Sequence, residues 1–425
     1  MPQKHPTRDH SRLPPGRGGW WMRLLLLAIL KPAAGAQAQA PLTANRASNQ
    51  WRSQQVASPR TANPTGPWFN QFSVHLALEA NDNINVSQDQ PQKDFIVRPS
   101  VEILLGCALT ENSSLSLNLR PGYAKYVSHP ERDTFVLNTE GLTGVNFDFH
   151  VSRTRINVHS EFSVEEDPVS EGEVSGRSDY LSFINVSGFL IEPEHDRLQL
   201  SAGYDHITQL YNSSFSDQNA SVESVYASVG LRVGEATVYG VAFGGAYVGP
   251  TSGGSEEGFS YSVSLQAATQ ISEYLQLQAE AGYGGLQFNG NRGGVDTEAD
   301  ASLFGNLAVQ NRLNQWVSQT LRVGTDLTPS VQSNFREVIY ASHTIQWSVV
   351  RNVSLSSDLF YENSVTSLNT GGENYDRYGI GIGFTTQLIR KLEGKIAYQF
   401  VFKDSSRSGS DYHQNQVTLM LTRRF

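Results

Sequence analysis

The stretch KLEGKIAYQFVF (391–402) alternates without a break. Leu392, Gly394, Ile396, Tyr398, Phe400 and Phe402 fall on one side; Glu393, Lys395, Ala397 and Gln399 fall on the other. A period of two marks a strand with one apolar face. The texture recurs along the chain. Leu275, Leu277, Ala279, Ala281 and Tyr283 oppose Gln276, Gln278, Glu280 and Gly282. Leu198, Leu200, Ala202 and Tyr204 oppose Gln199, Ser201, Gly203 and Asp205. Such segments begin near 70, 95, 114, 133, 154, 179, 197, 221, 237, 258, 274, 299, 315, 334, 352, 375, 391 and 411. Segments 179–191 and 334–348 alternate poorly; without them the count falls by two.

The connections alternate as well. NDNINVSQDQPQKD, YVSHPERD, EEDPVSEGEVSGRS and QLYNSSFSDQNA are long, whereas EPEHD, VGEA, ISE, NRLN and VRN are short. Tight turns join antiparallel neighbours. A meander whose every second connection is longer is the layout of an outer-membrane barrel, with short periplasmic turns and longer outer loops. An open sheet of this size would leave two long edges, and closure removes them. A barrel of about 18 strands encloses more volume than its side chains can fill. Its apolar face must then meet lipid and its polar face water, because only helices and closed barrels satisfy their backbone in hydrocarbon. The expected fold class is all-β, a transmembrane antiparallel up-and-down β-barrel of about 18 strands, with 16 the alternative. Tyr204, Tyr283, Tyr361, Tyr398 and Phe402 fall toward the long-loop ends of outward faces. Trp347, Tyr274 and Phe425 fall toward the short-turn ends, which gives two interfacial girdles.

Bulk composition agrees. Charged residues are 17% of the 425 and the net charge is −9, against the basic patches that nucleic acid needs. The single Cys107 excludes an internal disulfide and a Cys-rich metal site. The mean hydropathy of −0.35 looks soluble only because half of each strand faces water. Arg23, the apolar run LLLLAIL (24–30) and KPAAGAQAQA (31–40) form a secretory signal pattern. Residues 1–38 are expected to be that peptide, cut after Ala36-Gln37-Ala38, with Met22 an alternative start. Residues 39–68, rich in Ala, Ser, Asn, Gln and Pro, are expected to form a flexible periplasmic segment. Residues 69–425 form the barrel.

The barrel resembles bacterial outer-membrane β-barrels, and in particular the β-barrel porin 2 family. The resemblance is carried by LALEANDNINVS (76–87), FIVRPSVEILLG (95–106) with its Pro inside a strand, LNLRPGYAKYVSHPERDTF (117–135) and the terminal Phe425. It implies a surface pore and no reaction. It also implies that the last strand is read by the barrel-assembly machinery through Val417, Leu419, Leu421 and Phe425. Arg423 departs from this pattern, since an aromatic or apolar residue is expected there; a long arginine can snorkel to headgroups.

The expected function is a water-filled channel for passive or substrate-biased diffusion of small solutes across the cell outer membrane. The alternative is a structural or export component, such as an exit barrel for surface polysaccharide. The functional residues are the charges on the polar face: Arg98, Glu102, Arg120, Arg155, His159, Glu161, Asp205, Glu280, Arg322, Asp326, Asp358, Arg377, Glu393 and Lys395. Segregated charge in a lumen filters solutes; the blander role is to hydrate the wall and pair across strands. No enzyme, cofactor or metal site is expected. The glycines of GIGIGF (379–384) share one strand face, with no helix to build a phosphate loop. Asp205 and His206 are adjacent, so they point to opposite faces and cannot share a site. His343 lies on an apolar face, but no serine is placed to pair with it. The expected partners are outer-membrane lipid, the assembly machinery and small solutes or polysaccharide, with the oligomeric state open. The longest connection, at roughly 14 residues, looks short for a loop folded into the lumen.

Overall fold

A computed structural model describes residues 68–137, 143–166, 175–176, 181–193, 195–212, 219–250, 257–289, 300–329, 335–350, 352–366 and 373–425. The expected signal peptide over 1–38 and the periplasmic segment up to residue 67 lie outside the described residues.

The strands follow the alternation. β1 (Trp68–Asn81) and β2 (Asp94–Thr110) come first. β3 (Ser113–Leu119) and β4 (Pro121–Tyr126) are two halves of one stave, and β5 (Thr134–Leu137) and β6 (Thr143–Val151) are halves of the next. Then follow β7 (Thr154–Glu165), β8 (Ser182–Pro193), β9 (Leu198–Tyr211), β10 (Ala220–Val233), β11 (Thr237–Pro250), β12 (Glu257–Ser272) and β13 (Leu275–Asn289). The circuit ends with β14 (Asp300–Arg312), β15 (Val317–Pro329), β16 (Phe335–Val350), β17 (Val353–Thr366), β18 (Tyr375–Ile389), β19 (Leu392–Ser405) and β20 (Tyr412–Arg424). Each stave pairs antiparallel with the next, and β1 also pairs with β20 from Ser73↔Arg424 to Asn81↔Gln416. The result is a closed 18-strand barrel. The 16-strand alternative falls away, because the two poorly alternating segments are β8 and β16.

The break between β3 and β4 sits at Arg120-Pro121. Pro121 has no N–H to give the ladder, and Pro99 removes another from β2. Pairing of β2 with β4 is accordingly sparse, at Ile96↔Tyr126, Val97↔Lys125 and Ser100↔Gly122.

The apolar face is outside. Exposed large side chains recur at alternate positions: Phe72, Val74 and Leu76 on β1; Val225, Val229 and Leu231 on β10; Val263 and Leu265 on β12; Ile396, Tyr398 and Phe402 on β19. Between them, Ser73, His75, Asp205, Ser224, Glu280 and Lys403 are buried toward the interior. Trp347, Tyr274 and Phe425 are exposed near the short turns, and Tyr283, Tyr398 and Phe402 near the long loops.

Closure brings Phe425 to the end of β1. Its N–H donates to the Phe72 carbonyl at 2.9 Å, and the two rings lie 5.4 Å apart. Arg423 shares the outward face with Val417, Leu419 and Leu421, and lays its guanidinium 5.3 Å from the Phe425 ring. Arg424 turns inward to Glu393 at 3.4 Å.

Candidate functional site

Strand parity places all the candidate charges on the inner wall. Arg98 and Glu102 alternate with the outward Phe95 and Leu105; Arg155, His159 and Glu161 with Val158; Asp358 with Val365; Arg377 with Tyr378; Glu393 and Lys395 with Ile396. Asp205, Glu280, Arg322 and Asp326 sit likewise on strands whose neighbouring positions point out, and Arg120 is buried at the break between β3 and β4.

The wall pairs many of these charges. Arg155 reaches Asp148 at 2.7 Å and Glu192 at 2.9 Å. His159 Nε2 lies 2.9 Å from Asp205, both side chains almost fully buried. Asn146 donates to Glu161 at 3.4 Å. Asn306 and Gln266 donate to Glu280 at 2.8 and 3.3 Å. Thr344 donates to Asp358 at 3.0 Å. Arg98 bridges Glu79 at 3.0 Å and Glu166. Glu102 lies 3.6 Å from His75, whose other ring nitrogen is 2.9 Å from Thr422. The blander role is therefore met at many positions, through cross-strand neighbours that alternation alone cannot match.

The structure adds residues that the sequence reading missed. Arg336 and Glu362 join the candidate Arg377: both guanidiniums converge on Glu362, at 3.2 and 3.6 Å, and Arg377 stacks 5.0 Å from the Phe360 ring. Lys403 is fully buried with Glu373, between the rings of Tyr375 and Tyr412 at 4.8 and 5.9 Å. Arg336 and Glu362 follow the parity rule, but Arg336 lies in the segment whose alternation was weakest. Lys403 could be placed only once β19 was known to run on beyond Phe402.

The main departure from expectation is the connection 82–93. Its sequence NDNINVS puts Ile84 and Val86 among asparagines. Ile84 packs against Ile96, Ala124, Tyr126 and Val136, all inward-facing. Val86 packs against Val401, Tyr412 and Phe360, inward-facing on other staves. The loop therefore crosses inside the mouth, contrary to the expectation from its length. The asparagines brace it. Asn83 Nδ2 donates to the Ser87 and His413 carbonyls at 3.0 and 2.9 Å, and Asn85 Nδ2 to the Gln90 carbonyl at 2.9 Å. Gln414 and Arg132 donate to the Asn83 carbonyl and the Gln92 side chain, both at 2.9 Å. A second connection meets it there: Gly176 N–H donates to the Val86 carbonyl, and the Ser175 hydroxyl takes a hydrogen bond from Lys403. A loop this short can narrow the lumen because side-chain hydrogen bonds replace the length a longer loop would need.

Among the described residues no three His, Cys, Asp or Glu side chains converge as metal ligands.

The architecture defines a closed membrane-spanning barrel with a charged, constricted lumen. Comparison with solved structures agrees. The chain is similar to OccK2 (OpdF) of Pseudomonas aeruginosa in complex with glucuronate, at a TM-score of 0.50 and 11% identity, covering 84% of this chain and 98% of that one. It is also similar to the outer membrane protein OpdK of the same organism, at 0.50 and 13%, covering 84% and 99%. The shared property is the fold, a closed antiparallel β-barrel. No protein-family profile and no curated protein matches the chain.

Proposed function

We propose that the chain is an outer-membrane channel through which small polar solutes diffuse, with charge-biased passage at the mouth. The observation that carries this reading is the inward-folded loop 82–93 beside the Arg336–Glu362–Arg377 cluster. It leaves a narrowed, charged passage rather than a wide hole. A constriction of this kind suits small molecules and argues against an exit for surface polysaccharide. Two guanidiniums meeting one carboxylate there set fixed charges against the passage, which bias charged solutes. Since the structurally similar OccK2 was solved with glucuronate, a sugar acid is the first solute to try. The lumen needs no catalytic group for this task. Its setting is the outer membrane, with lipid around the belt and the assembly machinery reading the β20 end.

Purified protein in a planar bilayer should give stepwise conductance, and glucuronate on one side should pass or modulate the current. A folded, inserted barrel that stays electrically silent would overturn the reading.

A further inference from the structure

The wall is inverted in one sector. On β8 the inward positions Ile184 and Val186 are apolar, and the outward positions Asn185 and Ser187 are polar. Ile184 and Val186 pack with Ile207, Val222, Ala246 and Val248, all on the inner side of β9 to β11. The outer face opposite carries His206 and Thr208 on β9 and Glu223 on β10. His206 and Thr208 lie between the outward Tyr204 and Leu210, while Asp205, Ile207 and Gln209 are buried inside. Glu223 shares its face with the exposed Val225 and Val229.

These three side chains form a chain of hydrogen bonds. The Thr208 hydroxyl lies 3.1 Å from His206 Nε2, and His206 Nδ1 lies 2.8 Å from Glu223 Oε1. Tyr204 donates its phenol to the other Glu223 oxygen, which fixes that carboxylate. With Nδ1 protonated toward Glu223, Nε2 is free to accept the Thr208 proton. This is the arrangement of nucleophile, general base and orienting acid that activates a hydroxyl. Beside it, Ser187 is in register with His206 and Asn185 with Thr208. The Ser160 and Ser187 hydroxyls are 2.8 Å apart, and Ser187 donates to Asn185 at 3.1 Å.

Polar side chains on a lipid-facing wall are costly, and such groups usually mark function. Their depth says which function. Tyr204 belongs to the outer aromatic girdle, where hydrocarbon gives way to headgroups. His206 and Thr208 are the next outward positions above it, so lipid ester groups and water both reach them. His206 and Glu223 side chains are 40% and 42% exposed, open to a ligand from outside the barrel.

We propose that Thr208, His206 and Glu223 form a second, outward-facing site that hydrolyses ester-linked acyl chains of outer-leaflet lipid. His206 takes the Thr208 proton as Oγ1 bonds to the ester carbonyl carbon. The tetrahedral intermediate collapses, the bond to the lipid alcohol breaks, and His206 returns the proton to that oxygen. Water then attacks the acyl-threonine with His206 as base, releasing fatty acid and restoring the hydroxyl. The net change is ester plus water to acid plus alcohol. Sequence reading passed the site over because it sought a serine, and because Glu223 comes from the neighbouring strand.

The test uses the full-length barrel in two sets of vesicles, one of diacyl phosphatidylethanolamine and one also carrying lipid A. Released fatty acid is read by mass spectrometry, and a fluorophosphonate probe is mapped on the protein. Release should fall about 1000-fold in Thr208→Val and His206→Phe, and Thr208→Ser should retain it. The probe should modify Thr208 and not the Thr208→Val protein. Release confined to the lipid A vesicles assigns the site to glycolipid; release from both assigns it to acyl esters generally. All variants should conduct like the parent, since the site lies outside the lumen. No release above the Thr208→Val level, with no adduct, from a barrel that still conducts would overturn the proposal.

Discussion

At the residue scale the barrel depends on glycines that leave room for rings. A Cβ on Gly379 would lie 1.9 Å from the Phe360 ring of the neighbouring strand, and one on Gly203 would lie 2.4 Å from Tyr226. The rings lie flat over glycine on the inner wall, covering backbone without filling the lumen. This accounts for Gly379, the first glycine of a run (379–384) that looks like a phosphate loop only in the linear sequence. Gly379→Val should destabilise the barrel by about 1–3 kcal/mol through overpacking. Heat-modifiable gel migration would show less folded protein, and Phe360→Ala in the same chain should restore part of it. A failure of the second change to restore anything would break the link between the two residues. The terminal Phe425 gives another residue-scale expectation. Its deletion should lower the amount of folded barrel more than Arg423→Tyr does, because it removes both the bond to Phe72 and the ring contact. Equal amounts after both changes would show that the ring is dispensable.

At the scale of the element, the loop 82–93 is held in a strained form. Val86 has φ 44°, a left-handed conformation that β-branched residues avoid and that costs about 1–3 kcal/mol. Burial of Val86 against Val401 and Tyr412, with the bond from Gly176, offsets that cost. Val86→Asp places a charge in the contact while leaving every strand intact. Single-channel conductance should rise severalfold with no change in folded yield. Unchanged conductance would mean that the loop does not limit the passage. Shortening the loop between Asn83 and Gln92 should act in the same direction and more strongly, since it removes both apolar anchors.

At the scale of the whole molecule, the outward orientation of the apolar face can be tested by a pair of adjacent substitutions. Leu265 is 67% exposed on β12, and Gln266 beside it faces inward near Glu280. Leu265→Arg should cost about 2–4 kcal/mol if it lies at mid-depth in lipid, whereas Gln266→Arg should be tolerated and should change ion selectivity. Urea or guanidinium unfolding in lipid vesicles measures the first and reversal potentials the second. The reverse outcome would place the apolar face inside and undo the membrane reading.

Much of this was legible in the linear chain. Alternation in 391–402 and its fellows determined the strands, and alternating connection lengths determined the meander. Parity put charges such as Arg155 and Asp205 on one wall, because side chains in a strand have only two directions. Where the pattern failed, as in β8, the failure was itself structural: over 184–187 the apolar residues face in and the polar ones out, between the outward Phe183 and Phe189. Tertiary structure alone decided which charges meet, because cross-strand partners such as Arg155 and Glu192, or His206 and Glu223, depend on the register between neighbouring strands joined by long loops. It also decided the path of the loop 82–93. Two apolar residues among asparagines carry no direction of their own, and only the closed wall offers Ile84 and Val86 opposite places to bury.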